Sequence, residues 1–486
     1  FRSVYFVDTI LLYGLSGFGM PVSTTACLVF ELVGAALFIA HTQLEAGART
    51  GREQIARWLS DVLPGAPSPD GVLGTVAGWL DRMLPGLTNV HFDQVGAVAL
   101  GIVLSIAISG VASFMVMRVF RGAVKDRAEE RATVMTHGPW ITGLILTGLV
   151  WFMFFKGLKN IAAVKDFKEG FLAEHHLVVA LLLLWAAFTA LVFVILKASR
   201  GRLCPYLFRA TAVLGMVCMA FAFGQNDLAN AASPGLSGLK LWQTVRATGS
   251  EITELARLAT KEPIDRWWLF ICGALMASGM FTSYAQRVTR AQVNTGSEFT
   301  RVSLYAPAWC RRLAHALFAV RDRVFGHPKP LAPPPHRDHG KKVHYDTVRA
   351  SVITAVSGSV IAYASGRGLP VSTTYVAFAA VIGTGMSDRV FGRGDADLKM
   401  GRAIWVVACW FLAPVAAVVL TGLVARTIYH LSIWGIMIAI IFNLGMRWFF
   451  KNRADAHEEK YHNQHALEGT TDNGSPDNRP IHDATE

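Results

Sequence analysis

Charged side chains are scarce in this sequence. Only 16% of the 486 residues are Asp, Glu, Lys or Arg, while 52% are hydrophobic and the mean hydropathy is +0.38. Ordinary soluble domains are about 25% charged. The hydrophobic residues form runs too long for a globular core, since about 20 apolar residues cross the hydrocarbon layer of a membrane. The composition therefore excludes a soluble protein and indicates a chain with several membrane spans.

Signatures of several enzyme classes are also missing. No G-x-x-x-x-G-K-[ST] stretch occurs, which excludes a P-loop ATPase in this chain. The six cysteines form no C-x-x-C pair, so neither a zinc site nor a redox motif is visible. His457 begins a stretch that resembles the zinc-protease pattern, but His462 comes one position too late to share its helix face. We expect no catalytic residues and no cofactor.

The charge that is present is mainly positive, with a formal net charge of +12. It lies between the apolar runs, where cytoplasmic loops of membrane proteins carry Lys and Arg. No nucleic-acid-binding motif accompanies it, and we expect no nucleic acid partner. The basic, proline-rich stretch 287–343 is predicted to be a long cytoplasmic loop, and the polar tail 451–486 is predicted to be disordered.

One heptapeptide occurs twice. Gly-Met-Pro-Val-Ser-Thr-Thr at 19–25 recurs as Gly-Leu-Pro-Val-Ser-Thr-Thr at 368–374, with six of seven positions identical. Both copies lie in apolar surroundings, and the first interrupts an apolar stretch too long for one span. Duplicated halves with interrupted helices are typical of secondary transporters. The sequence predicts an all-α polytopic membrane protein, an inverted-repeat secondary transporter with broken or re-entrant helices.

This interpretation divides the chain into five parts. They are an N-terminally incomplete first repeat with connecting spans (1–200), the first part of the second repeat (201–286), the basic loop (287–343), the second part of the second repeat (344–450) and the tail (451–486).

The repeated motif has the composition of an anion site. Proline fits the first turn of a helix, and Ser-Thr-Thr then lies in that turn, where backbone N–H groups are unpaired and the helix dipole is positive. Such an end binds tetrahedral oxyanions, and two of them would cradle one anion. A single copy would be read as ordinary helix capping. The candidate anion ligands are Ser23, Thr24, Thr25, Ser372, Thr373 and Thr374.

A second polar element, Gly-Gln-Asn-Asp-Leu-Ala-Asn-Ala at 224–231, follows an apolar run. Asn226, Asp227 and Asn230 offer carboxylate and amide oxygens, which suit a hard cation such as Na⁺ at an unwound helix. The alternative is a helix end at the membrane surface with Asn and Asp as caps. A further acid, Glu31, has apolar neighbours on both sides. It could carry a proton, but we favour a structural pairing with Lys or Arg.

The paired motifs and the 224–231 segment together resemble the inorganic phosphate transporter (PiT) family of cation-coupled phosphate symporters. The resemblance implies that the six motif hydroxyls contact phosphate, and that Asn226, Asp227 and Asn230 form a phosphate and cation site. Gln225, which replaces an alanine of the family's GANDxANA signature, is included with Asn226 among the candidate phosphate ligands. Where the family has histidine after the motif, this chain has Ala26 and Tyr375. The first-half GANDxANA segment is absent, so we expect the sequence to be a fragment with an incomplete site.

The predicted function is secondary active transport of inorganic phosphate, coupled to Na⁺ or H⁺ by alternating access. One alternative keeps the fold but transports sulfate or another oxyanion. Another is a membrane enzyme acting on a phosphate ester, although the Ser-Thr-Thr sites have no histidine nearby. The expected partners are phosphate, Na⁺ or H⁺, membrane lipid and a second copy in a homodimer. The expected location is the plasma (inner) membrane, with multiple spans.

Overall fold

The structure is a computed structural model. It describes residues 2–43, 92–125, 130–153, 177–248, 265–297, 304–325, 337–338, 341–342, 346–369, 371–392 and 395–471. These residues are almost all helical. The helices are α1 (Arg2–Gly17), α2 (Thr24–Gln43), α3 (Phe92–Val124), α4 (Arg131–Val150), α5 (Leu177–Ala198), α6 (Leu207–Phe223), a π-helix (Gly224–Leu228), α7 (Ala229–Thr248), α8 (Arg266–Met280), α9 (Ser283–Thr295), α10 (Ala308–Phe325), α11 (Thr347–Gly366), α12 (Thr373–Ser387) and α13 (Ala396–Thr471).

Three short elements complete the described residues. Single 3₁₀ turns lie at Cys204–Tyr206 and Val390–Gly392, and an antiparallel pair of two-residue strands joins Arg337–Asp338 to Lys341–Lys342. The chain also changes direction within α13, where Ser432 has non-helical angles (φ 47°, ψ −117°). The backbone on the two sides of that turn is close, because a Cβ on Gly435 would lie 2.5 Å from the Thr427 carbonyl oxygen. Ser432 therefore divides α13 into two successive helices.

Several helices are long and apolar enough to cross a membrane. Within the described residues there are five such segments, and the bent pair α8 and α9, which meet at 62°, makes a possible sixth. Two further apolar segments, Thr24–Phe38 of α2 and Thr373–Ser387, are shorter than a full span. Each of these short helices begins inside a copy of the repeated motif. The chain is thus a multi-pass membrane protein with two broken segments, as predicted.

Each of the two short helices packs against a helix that follows the other motif in the sequence. α2, which begins at the first motif, packs against α13, the described helix that follows the second motif region. α12, which begins at the second motif, packs against α3, the described helix that follows α2. Residues from all four helices share one core cluster, including Cys27, Ile102, Phe378 and Trp410. This reciprocal packing brings the two motifs into one interior.

Glycines at matching positions make both packing contacts possible. A Cβ on Gly34 of α2 would lie 2.2 Å from the Val418 carbonyl oxygen of α13, and one on Gly383 of α12 would lie 2.2 Å from the Gly110 carbonyl oxygen of α3. Gly34 and Gly383 follow their motifs at the same distance along the chain. Only a residue without a side chain permits helix backbones to approach this closely.

An ion cluster fixes the far end of α12. The Arg121 guanidinium at the end of α3 donates to both carboxylate oxygens of Asp388, at 2.9 and 2.7 Å, and also to Asp346. Asp346 caps α11 by accepting from the Arg349 backbone N–H at 2.7 Å. One guanidinium therefore ties together the ends of three helices.

Three sequence predictions need correction. The predicted loop 287–343 contains the end of α9 and the whole of α10, since its charges alternate with apolar residues along an amphipathic helix. The predicted disordered tail is helical as far as Thr471, where α13 continues beyond its apolar part. The apolar run ending at 224 continues as a helix to Thr248, although its sequence turns polar.

Candidate functional site

The two motifs fold in the same way. Two residues after the end of α1 and of α11 comes a glycine at positive φ, Gly19 at 64° and Gly368 at 74°. The backbone N–H of each donates to the carbonyl three residues earlier, Ser16 or Ser365, at 2.9 Å. Glycine adopts this left-handed conformation without steric cost, which ends a helix sharply. Each motif is thus a helix stop followed at once by a helix start.

Serine caps each new helix. Ser23 Oγ accepts from the Ala26 N–H at 3.0 Å, and Ser372 Oγ accepts from the Tyr375 N–H at 3.1 Å. The capping interpretation therefore applies to these two serines. The expectation for proline is wrong in the first copy: Pro21 precedes the helix and its carbonyl accepts from the Trp410 indole at 3.2 Å. Pro370 lies outside the described residues.

Both helix starts reach the same segment. Asn230 Nδ2 donates to Thr25 Oγ1 of the first motif at 3.0 Å. Thr373 Oγ1 of the second motif donates to Asp227 Oδ2 at 2.8 Å. Asn226 Nδ2 donates to Asp227 Oδ1 at 3.0 Å and to the Val371 carbonyl oxygen at 2.8 Å. Three separate parts of the sequence thus meet at one polar cluster inside an apolar helix bundle.

The central segment, residues 224–231, begins with a π-helix inside a continuous helix. Gly224–Leu228 is π-helical between α6 and α7, and the apolar span that contains it runs from Cys204 to Ala247. The alternative of a helix end with Asn and Asp as caps is therefore wrong, because the helix continues through the segment. The predicted unwinding is also absent, since the backbone widens by one residue without breaking. π-Helical turns free backbone groups from the regular pattern and occur often at functional sites.

The predicted ligand residues differ in their burial and in their hydrogen bonds. Thr25 and Thr373 are buried and bonded to the central segment, whereas Thr24 and Thr374 are half-buried. Asn226 is buried with 3% exposure, and Gln225 is half-buried beside it. All eight predicted phosphate ligands and all three predicted cation ligands lie on the two helix starts or the central segment. Their roles stay predictions.

Two side chains that brace the first motif were missed. Arg402 of α13 is 2% exposed and donates to the Gly19 carbonyl oxygen at 2.6 Å and to the Tyr305 carbonyl oxygen at 3.0 Å. Trp410 stacks on Tyr375, with ring centroids 4.3 Å apart. Tyr375 thereby packs, where the resembled family has histidine, on the indole that donates to Pro21 of the first motif. The sequence signal that could have identified Arg402 is its position as a basic residue at the edge of an apolar run.

The described residues do not show the favoured pairing of Glu31 with Lys or Arg. Its side chain is completely buried, and neither carboxyl oxygen has a hydrogen-bond partner among these residues. The charged neighbour that they provide is the carboxyl group of Asp8 in α1.

Known proteins with similar sequences identify the family of this chain. The sequence model of the Phosphate transporter family matches residues 2–328 and 337–459. This chain belongs to the phosphate transporter family. Family members that resemble it include proteins named "Putative phosphate permease" from Pyrococcus horikoshii (22% identity, 74% of this chain and 71% of that protein) and Thermococcus kodakarensis (23% identity, 72% and 69%). A protein of the same name from Haemophilus influenzae is 22% identical over 74% of this chain and 72% of its own length.

Among solved structures, "The sodium-dependent phosphate transporter" matches this phosphate transporter family chain with a TM-score of 0.45. That match has 15% identity and covers 88% of this chain and 99% of the other. The family to which the chain belongs is a family of transporters.

Proposed function

We propose that this chain moves inorganic phosphate across a membrane together with Na⁺, by alternating access. The observation that carries the proposal is the convergence of two helix N-termini, those of α2 and α12, on the central segment 224–231. Each N-terminus offers unpaired backbone N–H groups and the positive end of a helix dipole. Two such ends facing one cluster make a binding site for a tetrahedral anion.

The cation would bind at Asp227. Its carboxylate, with the side-chain oxygens of Asn226 and Asn230, offers the hard oxygen ligands that Na⁺ takes in transporters. A Na⁺ there would compensate the charge of HPO₄²⁻, so that neither ion enters the hydrocarbon alone. Because Asp227 also accepts from Thr373, the cation site and the second helix start share one carboxylate.

The same carboxylate favours phosphate over sulfate. HPO₄²⁻ carries a P–OH group that can donate a hydrogen bond, whereas sulfate has only acceptors. A carboxylate oxygen near the anion accepts a hydrogen bond from an anion that has a donor, and it repels an anion that has none. A site with unmatched polar groups rejects the wrong substrate strongly. We therefore place sulfate second, as a competitor of lower affinity.

Alternating access would use this reciprocal packing. α2 and α12 each rest on a helix that follows the other motif, so a tilt of one repeat moves both helix starts relative to the central segment. This would open the cluster to one side at a time, as rocking of inverted repeats does in other transporters. In the cell we place the protein in the plasma membrane.

The test is uptake of radiolabelled phosphate by proteoliposomes that contain the full-length protein. We expect an inward Na⁺ gradient to stimulate uptake at least tenfold, and excess sulfate to leave it nearly unchanged. Asp227→Ala should abolish the Na⁺ stimulation while the protein still inserts. Uptake that ignores Na⁺, or that sulfate blocks, would contradict the coupling or the substrate respectively.

A further inference from the structure

Two carboxyl groups with buried oxygens lie on the packed helices α1 and α2, and neither belongs to the hydrogen-bonded phosphate cluster. Glu31 is completely buried in α2, and Asp8 of α1 is close enough for the charges of the two groups to interact. Both oxygens of Glu31 and Oδ1 of Asp8 are buried and lack a hydrogen-bond partner among the described residues. Buried polar atoms are nearly always bonded, so three bare carboxyl oxygens in one place require an explanation.

Among the described residues, no Lys or Arg is hydrogen-bonded to Glu31. Leu28 and Leu32, near Glu31 in α2, belong to an apolar cluster that also includes Val4 of α1 and Ala425 of α13. Cys27 of α2 interacts electrostatically with both acids, and Tyr5 of α1 with Asp8. Tyr5 itself donates to the Ala231 carbonyl oxygen of α7 at 2.9 Å. Other titratable or charged groups on the neighbouring elements include Cys272 of α8, Tyr375 of α12, and Cys409 and Arg447 of α13, the last stacked on Tyr13.

The internal repeat shows that the fold does not need these acids. In the second copy of the motif region, the position of Asp8 is occupied by Ser357 and that of Glu31 by Ala380. Both are completely buried, and Ala380 packs in an apolar cluster with Ile353 and Val381. Small neutral residues thus meet the same packing requirement. The acids in the first copy therefore have a chemical purpose rather than a packing one.

Two carboxylates at short range in apolar surroundings cannot both stay ionised. A proton fits the site better than a metal ion, because helical backbone carbonyls are already bonded and no group of three or more metal-binding side chains occurs in the described part of the chain. Asp8 is partly exposed while Glu31 is enclosed. Protons would thus enter at Asp8 and be held between the two carboxyl groups.

We propose that Asp8 and Glu31 form a proton-binding site of this transporter, separate from the phosphate cluster. One proton adds to one carboxylate and is shared with the other, and it leaves when α1 and α2 move apart. This inference depends on the proposed phosphate transport only for its second readout. The first readout, proton binding itself, requires neither phosphate nor Na⁺.

The first experiment is infrared spectroscopy of the purified full-length protein, which separates carboxylic acid from carboxylate carbonyl bands. We expect a buried carboxylic acid band at neutral pH that is lost in Glu31→Gln, and in the double variant Asp8→Ser/Glu31→Ala, which carries the residues of the second repeat. Glu130→Gln, which changes an exposed glutamate, should keep the band. A band that survives in both acid-pair variants, or is absent from the unaltered protein, would overturn the proposal.

The second experiment is the pH profile of phosphate uptake in proteoliposomes. We expect uptake by the unaltered protein to change at least fivefold between pH 6 and 8, and the profile to flatten in the double variant. An unchanged profile would contradict a role for the pair in transport. If the unaltered protein moved no phosphate, the proposed function would fail, while the infrared result would still decide whether the pair holds a proton.

Discussion

Different hydroxyls of the two motifs reach the central segment. In the second motif it is the middle one, Thr373, which donates to Asp227, and in the first motif it is the last one, Thr25, which accepts from Asn230. The sequence repeat is symmetric, but the contacts are not. The central segment has one carboxylate, and the two motifs approach it from different directions.

Replacing Thr373 by valine should therefore impair cation coupling more than phosphate binding. The variant keeps the shape of the side chain and removes one hydrogen bond to a carboxylate, worth about 1.5–3 kcal/mol. We expect the Na⁺ concentration for half-maximal uptake to rise about tenfold. Thr374→Val is the matched control, and it should raise the KM for phosphate with little change in Na⁺ dependence. Identical Na⁺ dependence in the two variants would contradict the assignment of Asp227.

Sequence reasoning was effective for residues whose chemistry repeats. The motif letters located both helix starts, and the carboxamide spacing located the central cluster. It could not find Asp8 as the neighbour of Glu31, because the two acids lie on different helices and only the α1–α2 packing brings them together. It also favoured a basic partner for Glu31, since buried acids usually have one.

The short helices α2 and α12 depend on glycine at one matching position. Gly34 and Gly383 each let a helix backbone approach that of a helix that follows the other motif. Hydropathy predicted these helices as apolar, but it contains no information on which neighbour they choose. That choice follows from small residues and tertiary packing, which explains why the reciprocal packing was not predicted.

Adding a methyl group at either glycine should destabilise the fold. In Gly34→Ala or Gly383→Ala the new Cβ would meet a backbone carbonyl oxygen that cannot move aside, and overpacking costs about 1–3 kcal/mol. We expect a lower melting temperature in detergent and a lower yield of monodisperse protein. Gly101→Ala in α3 is the control, because a Cβ there meets nothing within 4 Å. Equal melting temperatures for all three variants would contradict the close approach.

At the scale of the whole molecule, the site draws on the helices that begin at both motifs and on the central segment. A ligand that bridges these parts stabilises the fold as a unit, by about 2.7 kcal/mol at a hundred times its Kd. Binding of phosphate and Na⁺ should also be mutually dependent, since each compensates the charge of the other.

We therefore expect phosphate to raise the melting temperature substantially in Na⁺ buffer and only slightly in a buffer where a large organic cation replaces Na⁺. Asp227→Asn should remove the difference between the two buffers while keeping the melting temperature of the unliganded protein within a few degrees. Thermal unfolding followed by intrinsic tryptophan fluorescence measures both. Equal stabilisation by phosphate in both buffers would argue against a shared site.

The π-helix has a consequence for the orientation of everything that follows it. An α-helix turns by about 100° per residue, so the one additional residue held in Gly224–Leu228 rotates α7 relative to α6 by about that angle. Removing a single residue there would leave an uninterrupted apolar span and an unchanged hydropathy profile. It would also turn Asn230 away from Thr25 and towards a different side of the bundle. The direction in which this polar face points is thus encoded by the number of residues in the helix, independently of their chemical character.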